Sequence, residues 1–182
     1  MLVEELNVNH NILKAIKALG YENATQIQEK CIPEIKNGKD VVGQSSTGSG
    51  KTAAFGLPLL EKIENGKGIQ ALILTPTREL CVQVSDALFS FSKFTGARIT
   101  SVYGGVGIGP QIHALQRADV VVGTPGRILD HMERGTINFS KIKILVLDEA
   151  DKMFEMGFIE DVERILKNIP KERQTLLFSA TL

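Results

Sequence analysis

Tryptophan is absent from this 182-residue chain, and cysteine occurs only twice. Cys31 and Cys81 are far apart and show no CxxC spacing, which excludes a disulfide scaffold and a cysteine zinc site. His10, His113 and His131 form no ligand-like cluster, so a structural metal is not expected. The first twenty residues alternate polar with apolar positions, which excludes a secretory signal, and no run reaches the eighteen or so apolar residues of a membrane span. Excess charge is also missing: 21 Lys and Arg balance 21 Asp and Glu, so no overall field draws the chain to nucleic acid or to anionic lipid. Any such partner must be held by local groups. Together these absences predict a soluble cytoplasmic protein with no membrane partner.

What is present is ordinary for a globular domain. Hydrophobic residues make up 43% and charged residues 23%, with 17 Gly and 6 Pro, and the length suits one domain with one core. Ile12, Leu13, Ile16 and Leu19 follow helical spacing, with Asn9 or Asn11 as N-cap and Gly20 as a stop. A second helix is predicted from Thr25-Gln26-Ile27-Gln28, with Ile27, Cys31, Ile32 and Ile35 on one face and an end near Asn37-Gly38. Short apolar runs then recur at Val41-Val42, Ala71–Leu74, Ile99–Val102, Val120–Val122, Ile144–Leu147 and Thr175–Phe178, most of them separated by helical stretches. One such stretch, Ile159 to Ile169, stops at Pro170 and another ends at Gly135. Strands this apolar, alternating with helices, predict an α/β fold: a doubly wound, mostly parallel sheet in three layers. Ligands of such sheets bind beyond the carboxyl ends of the strands, so the turns there are the places to look for chemistry.

After Val41-Val42 comes Ser45-Ser46-Thr47-Gly48-Ser49-Gly50-Lys51-Thr52, followed by a helix starting near Thr52. Glycines let backbone amides approach a phosphate, the helix points its positive end at it, Lys51 adds charge and Thr52 can hold Mg²⁺. The alternative is a Gly/Ser-rich surface turn, and Ser45 stands where the strict phosphate-loop pattern has Gly. The run Ile142–Leu147 leads straight into Asp148-Glu149. An acid there can hold Mg²⁺ through water while its neighbour deprotonates a second water for attack on a γ-phosphate. The competing reading is a solvated first helical turn, where acids are favoured.

Asp148-Glu149-Ala150-Asp151 spells the DEAD box, and the chain resembles the N-terminal RecA-like domain of the DEAD-box RNA helicases. The other motifs stand in family order. Gly20-Tyr21 with Thr25 to Gln28 resembles the Q motif, Ser46 to Thr52 motif I, and Pro76-Thr77-Arg78-Glu79-Leu80 motif Ia. Gly104-Gly105 resembles the glycine pair, Thr124-Pro125-Gly126-Arg127 motif Ib, and Ser179-Ala180-Thr181 motif III.

The resemblance implies an ATP-dependent, Mg²⁺-dependent RNA helicase core in which Lys51, Asp148 and Glu149 are catalytic. Tyr21, Thr25, Gln28, Ser46, Thr47, Gly48, Ser49, Gly50 and Thr52 would bind the nucleotide, with Mg²⁺ on Thr52 and, through water, Asp148. It implies that Gln28 reads the adenine edge with Tyr21 against the ring, whereas by spacing alone Thr25-x-x-Gln28 is a helix capping box. It further implies that Pro76, Thr77, Arg78, Gly104, Gly105, Thr124, Pro125, Gly126 and Arg127 hold the RNA sugar-phosphate backbone. Taken alone, Pro76 and Glu79 are also good helix-start residues. Asp151, Ser179 and Thr181 would couple hydrolysis to duplex opening.

Where the family has an aromatic residue upstream of the Q motif, Val3 stands here. The family continues beyond motif III into a second RecA-like domain with an arginine finger, so residues 1–182 are expected to be one half of an enzyme. Two other readings use the same motifs: an ATP-gated RNA clamp with little turnover, and a different phosphate-loop ATPase acting on DNA. His113 and His131 are expected to be surface or packed residues. Met153, Phe154, Met156 and Phe158 are expected to be core or interdomain apolar surface.

Overall fold

Six short strands lie side by side in parallel: β1 (Val41–Gln44), β2 (Ala71–Leu74), β3 (Ile99–Val102), β4 (Val120–Gly123), β5 (Ile144–Leu147) and β6 (Gln174–Ser179). Their order across the sheet is β1-β6-β5-β2-β4-β3. The computed structural model describes residues 1–46 and 48–182, so Thr47, expected in the phosphate loop, lies outside the described residues. The helices are α1 (His10–Ala18), α2 (Gln26–Lys36), α3 (Lys51–Glu61), α4 (Arg78–Phe91), α5 (Gly109–Leu115), α6 (Pro125–Arg134), α7 (Ala150–Glu155) and α8 (Ile159–Leu166). A 3₁₀ turn over Val3–Leu6 precedes them.

Alternation along the strands explains the three layers. Ala71, Ile73, Val120, Val122, Ile144, Val146, Leu176 and Phe178 face one side, where Ile12, Ile32, Phe55 and Leu88 from α1 to α4 cover them. Leu72, Leu74, Val102, Val121 and Leu145 face the other, under Leu115, Ile128, Val162 and Ile165 from α5, α6 and α8. Both faces of the central strands are buried, as their near-continuous apolar runs require. Two glycines permit close packing here. A Cβ on Gly43 would lie 2.6 Å from the Phe178 ring, and one on Gly123 would lie 2.5 Å from Ile128.

The predicted α/β class and strand set stand, with small shifts. Asn9 caps α1, its side chain accepting from the Ile12 amide at 3.3 Å. Leu19 is 48% exposed because the helix has ended before it. Ile27 is only half-buried, and Gln28 takes the inward position on α2. The strand β5 begins at Ile144, since Ile142 closes a turn onto the Phe139 carbonyl. Met153 is buried and Phe158 half-buried, while Phe154 and Met156 are exposed. His131 is fully buried and His113 exposed. Among the described residues no helix is long and apolar enough to cross a membrane.

Candidate active site

Every predicted motif except the Q motif, which precedes β1 and opens α2, lies at the carboxyl end of a strand, and the strand order sorts these into two halves. The loop Ser45 to Gly50, Asp148-Glu149 and Ser179-Ala180-Thr181 follow β1, β5 and β6, which are neighbours. Motif Ia, the glycine pair and Thr124 to Arg127 follow β2, β3 and β4, the other three.

In the first half, Gly50 has φ 86° and ψ 18°, left-handed values that glycine adopts without strain, and Gly48 has φ 85°. The helix α3 starts immediately after, so its free amides and dipole point into the loop. The hydroxyls of Ser45, Ser49 and Thr25 are buried without a hydrogen-bond partner. Buried orphan hydroxyls cost stability, and their concentration around one loop marks a place prepared for a polar guest.

Lys51 is 7% exposed and spans both acids: its Nζ lies 3.1 Å from Asp148 Oδ1 and pairs with Glu149 Oε1. Asp148 and Glu149 are 1% and 2% exposed, which removes the solvated-helix-start reading. The contact with Asp148 is ionic without hydrogen-bond alignment, so Asp148 Oδ1 stays unsatisfied. Burial raises the Asp148 carboxyl above its ordinary value, only partly offset by Lys51. Burial also opposes the Lys51 charge, but Asp148 and Glu149 outweigh it and hold the ammonium above the ordinary lysine value. Glu149 has φ 56° and ψ 47°, a left-handed conformation that disfavours a side chain with Cβ and is found mostly where function or turn geometry requires it.

Tyr21, Lys51, Thr52, Val84, Phe91, Asp148 and Glu149 line one open cleft of about 290 Å³. Tyr21 packs edge-on against Phe91, with centroids 6.0 Å apart. Of the Thr25–Gln28 capping box, the limb that forms a hydrogen bond is the Thr25 amide donating to Gln28 Oε1 at 3.0 Å. The other end of the same side chain reaches the phosphate loop, where Gln28 Nε2 donates to the Gly50 carbonyl at 3.1 Å. Gln28 is therefore both cap and tether. Val3 is 1% exposed and packed in the core beneath α2, away from the cleft lining.

The last strand ties this half of the site together. The Ser45 amide donates to the Ser179 carbonyl at 3.0 Å, Ser179 Oγ donates to the Thr181 carbonyl, and Thr181 Oγ1 donates to Asp151 Oδ2 at 3.2 Å. Slight burial works against the Asp151 charge, but the nearby Ser179 hydroxyl and hydrogen bonds from the Lys152 amide and Thr181 Oγ1 hold its carboxyl below the ordinary value.

In the second half, Thr77 caps α4 by accepting from the Leu80 amide at 3.2 Å, and Pro76 is buried. Arg78 is exposed, its guanidinium 5.0 Å from the Tyr103 ring centre. Gly104, Gly105 and Gly126 are exposed, and Thr124 and Pro125 begin α6.

Residues 25–182 match the family described as DEAD/DEAH box helicase. This chain belongs to that family. It is 52% identical to a probable ATP-dependent RNA helicase of Methanocaldococcus jannaschii, covering all of this chain and 50% of the relative. It is also 52% identical to the ATP-dependent RNA helicase CshA of Limosilactobacillus reuteri, covering all of this chain and 37% of the relative. The crystal structure of a DEAD box protein from the hyperthermophile Methanococcus jannaschii superposes with a TM-score of 0.97 at 52% identity, over all of this chain and 50% of that one. A hypothetical ATP-dependent RNA helicase from Sulfolobus tokodaii gives 0.88 at 44% identity, over 95% of this chain and 51% of that one. The chain thus spans between about a third and a half of the relatives it matches.

Within this DEAD/DEAH box domain, one group escaped the sequence. Gln111 on α5 is 7% exposed and bonded on both sides of its amide, linking the loop after β3 to α6. It belongs to no short motif, and its only signal is a polar residue at an inward helical position.

Proposed function

We propose that this chain is the N-terminal, nucleotide-binding RecA-like domain of an ATP-dependent RNA helicase, spanning residues 1–182 with the Q motif at about residues 1–29. The observation that carries this reading is Lys51 bridging two buried carboxylates beneath a loop of unsatisfied hydroxyls. One lysine facing two buried acids leaves an excess of negative charge, which a divalent cation arriving with a nucleotide would offset.

Ser46, Thr47, Gly48, Ser49 and Gly50 would cradle the β- and γ-phosphates through backbone amides, and Lys51 would turn from the acids to the phosphate. The residues present fit Mg²⁺: Asp148 Oδ1 is a buried oxygen without a hydrogen bond, and Thr52 follows Lys51 on α3. Among the described residues no cage of three or more metal-binding side chains gathers, which suits an ion held mostly by phosphate and water. When bound, Mg²⁺ neutralises charge on the phosphates. Glu149 would accept the proton of the attacking water, and its left-handed backbone aims it back across the loop toward Lys51. Tyr21, Thr25 and Gln28 would form the base end of the site. Asp151, Ser179 and Thr181 would carry the nucleotide state to the second domain, because the Ser45 to Ser179 bond already joins them to the phosphate loop.

The β2-β4-β3 edge is suited to a sugar-phosphate backbone. It offers exposed glycines at Gly104, Gly105 and Gly126, the start of α4 at Pro76 and Thr77, the start of α6 at Thr124 and Pro125, and the exposed cation Arg78, while Arg127 on α6 is half-buried. Glycine amides, helix starts and a guanidinium would meet sugar and phosphate rather than base edges, so binding would be insensitive to sequence. The longer relatives support a second RecA-like domain as the partner that completes the RNA site. Cys31 and Cys81, both free and buried, suit a reducing cytoplasm. The test is ATP turnover by the full-length protein with single-stranded RNA and with single-stranded DNA of one sequence. Stimulation by RNA alone supports the proposal, and stimulation by DNA alone overturns it.

A further inference from the structure

Gly104, Gly105, Val106 and Gly107 form an exposed turn with three glycines, a segment with large conformational freedom to lose on binding. Two side chains from other elements pin it. Gln111 Nε2 donates to the Tyr103 carbonyl at 2.9 Å, at the head of the turn. Both terminal nitrogens of Arg127 donate to the Val106 carbonyl, each at 3.1 Å, near its tail. The two pins are joined, because Arg127 Nη1 also donates to Gln111 Oε1 at 3.2 Å. His131 buttresses the junction: its Nε2 lies 3.0 Å from the same Oε1 and its Nδ1 2.7 Å from Thr136 Oγ1. The amide oxygen can only accept, so this network assigns the proton of neutral His131 to Nε2.

This use of Arg127 leaves little of it for a ligand. Its Nη atoms are committed to a carbonyl and an amide, its Nε lies 3.9 Å from Asp130, and its side chain is 14% exposed. Arg78 on the facing side is exposed and lies against the Tyr103 ring with no carboxylate partner among the described residues.

We propose that Gln111 and Arg127 are positioning residues, which hold the glycine turn in the shape that receives a sugar-phosphate backbone. The proposal rests on the RNA reading above. Holding the turn before RNA arrives removes an ordering cost that flexible glycines would otherwise impose on binding.

The test uses the full-length protein, a fluorescein-labelled single-stranded RNA and a non-hydrolysable ATP analogue, with anisotropy reporting RNA affinity and a separate titration reporting nucleotide affinity. Gln111→Leu is expected to weaken RNA binding about tenfold, as loss of a hydrogen bond to a charged group does, and to leave nucleotide affinity unchanged. Arg127→Lys keeps the charge but not the two-pronged grip, and is expected to lose about as much. The double variant should be little worse than either single one, because both act through one turn. Hydrogen exchange at residues 104–107 should quicken in each variant while the melting temperature of the domain holds. Unchanged RNA affinity in Gln111→Leu, or equal losses of RNA and nucleotide affinity, overturns the proposal. Full affinity in Arg127→Lys overturns the role of Arg127. A wild-type protein that binds nucleotide but no RNA overturns the RNA reading and this inference with it, and is recognised because it shows without any substitution.

Discussion

Replacing Glu149 by Gln removes the carboxylate proposed to accept a proton from water while keeping its shape. Turnover of the full-length protein on RNA is expected to fall roughly 10²-fold or more with ATP binding retained, measured by steady-state hydrolysis beside equilibrium binding. Asp148 illustrates the stability cost of a buried carboxylate. Its folded-state pKa is raised above the unfolded value, so the stability linked to it is present in acid and lost as pH rises through the folded value. At neutral pH its charge is a net cost, and Asp148→Asn is expected to raise the melting temperature of the nucleotide-free domain by about 2–4 °C, the shift that roughly 1 kcal/mol produces at this size. The same variant should bind Mg²⁺-nucleotide more weakly, and a lower melting temperature would contradict the assignment. Gln28→Ala breaks the firm limb of the cap and the tether to Gly50, so a loss of about 0.5–2 kcal/mol is expected in denaturant unfolding. Preference for ATP over GTP should vanish with it, since an amide matches the adenine edge and adenine can replace the Gly50 carbonyl as its partner. Competition binding decides this.

At the scale of elements, the junction of the phosphate loop with α3 is closely packed. Gly50→Ala would force a Cβ to 2.6 Å from Gln28 Nε2 and 2.7 Å from Thr25 Oγ1 at a φ of +86°. Nucleotide binding is expected to be lost well before the fold is, read by titration and circular dichroism on one sample. The helix α6 carries a pH dependence of its own. Burial, aided by Arg127 and Arg134 and opposed by Asp130, holds the buried His131 below its ordinary value. A depressed histidine stabilises the fold above the unfolded value of about 6.5, and that stability is lost as pH falls toward the folded one. The melting temperature is expected to decline from pH 7 to pH 5, and His131→Gln should flatten that decline.

For the molecule as a whole, the lining of the nucleotide cleft includes one lysine and no arginine among the described residues. An arginine supplied in trans is typically worth 10³–10⁵ in the rate of phosphoryl transfer. Residues 1–182 alone are therefore expected to bind adenine nucleotide weakly and to show almost no RNA-stimulated hydrolysis, while the full-length protein shows both. Equal RNA-stimulated rates in the two would mean that this domain carries its own transition-state cation, with Arg78 the first to test.

The strands, their turns and the order of the motifs were legible in the sequence because each depends on local chemistry. Apolar β-branched runs make strands wherever they fall, a glycine-rich turn before a helix makes an anion cradle, and acids after a strand lie at its carboxyl end. Side-chain partners were not legible, because they depend on which strands become neighbours. Lys51 and Glu149 stand 98 positions apart and meet only because α3 begins beside the exit of β5. Spacing offered Gln28 as a cap, and only packing showed its second end on Gly50. A guanidinium in a motif looks free for phosphate, yet Arg127 is committed to Val106 and Gln111 while Arg78 is not. Local periodicity fixes the direction in which a side chain leaves the backbone, but the atoms it finds there are chosen by the burial of two apolar sheet faces.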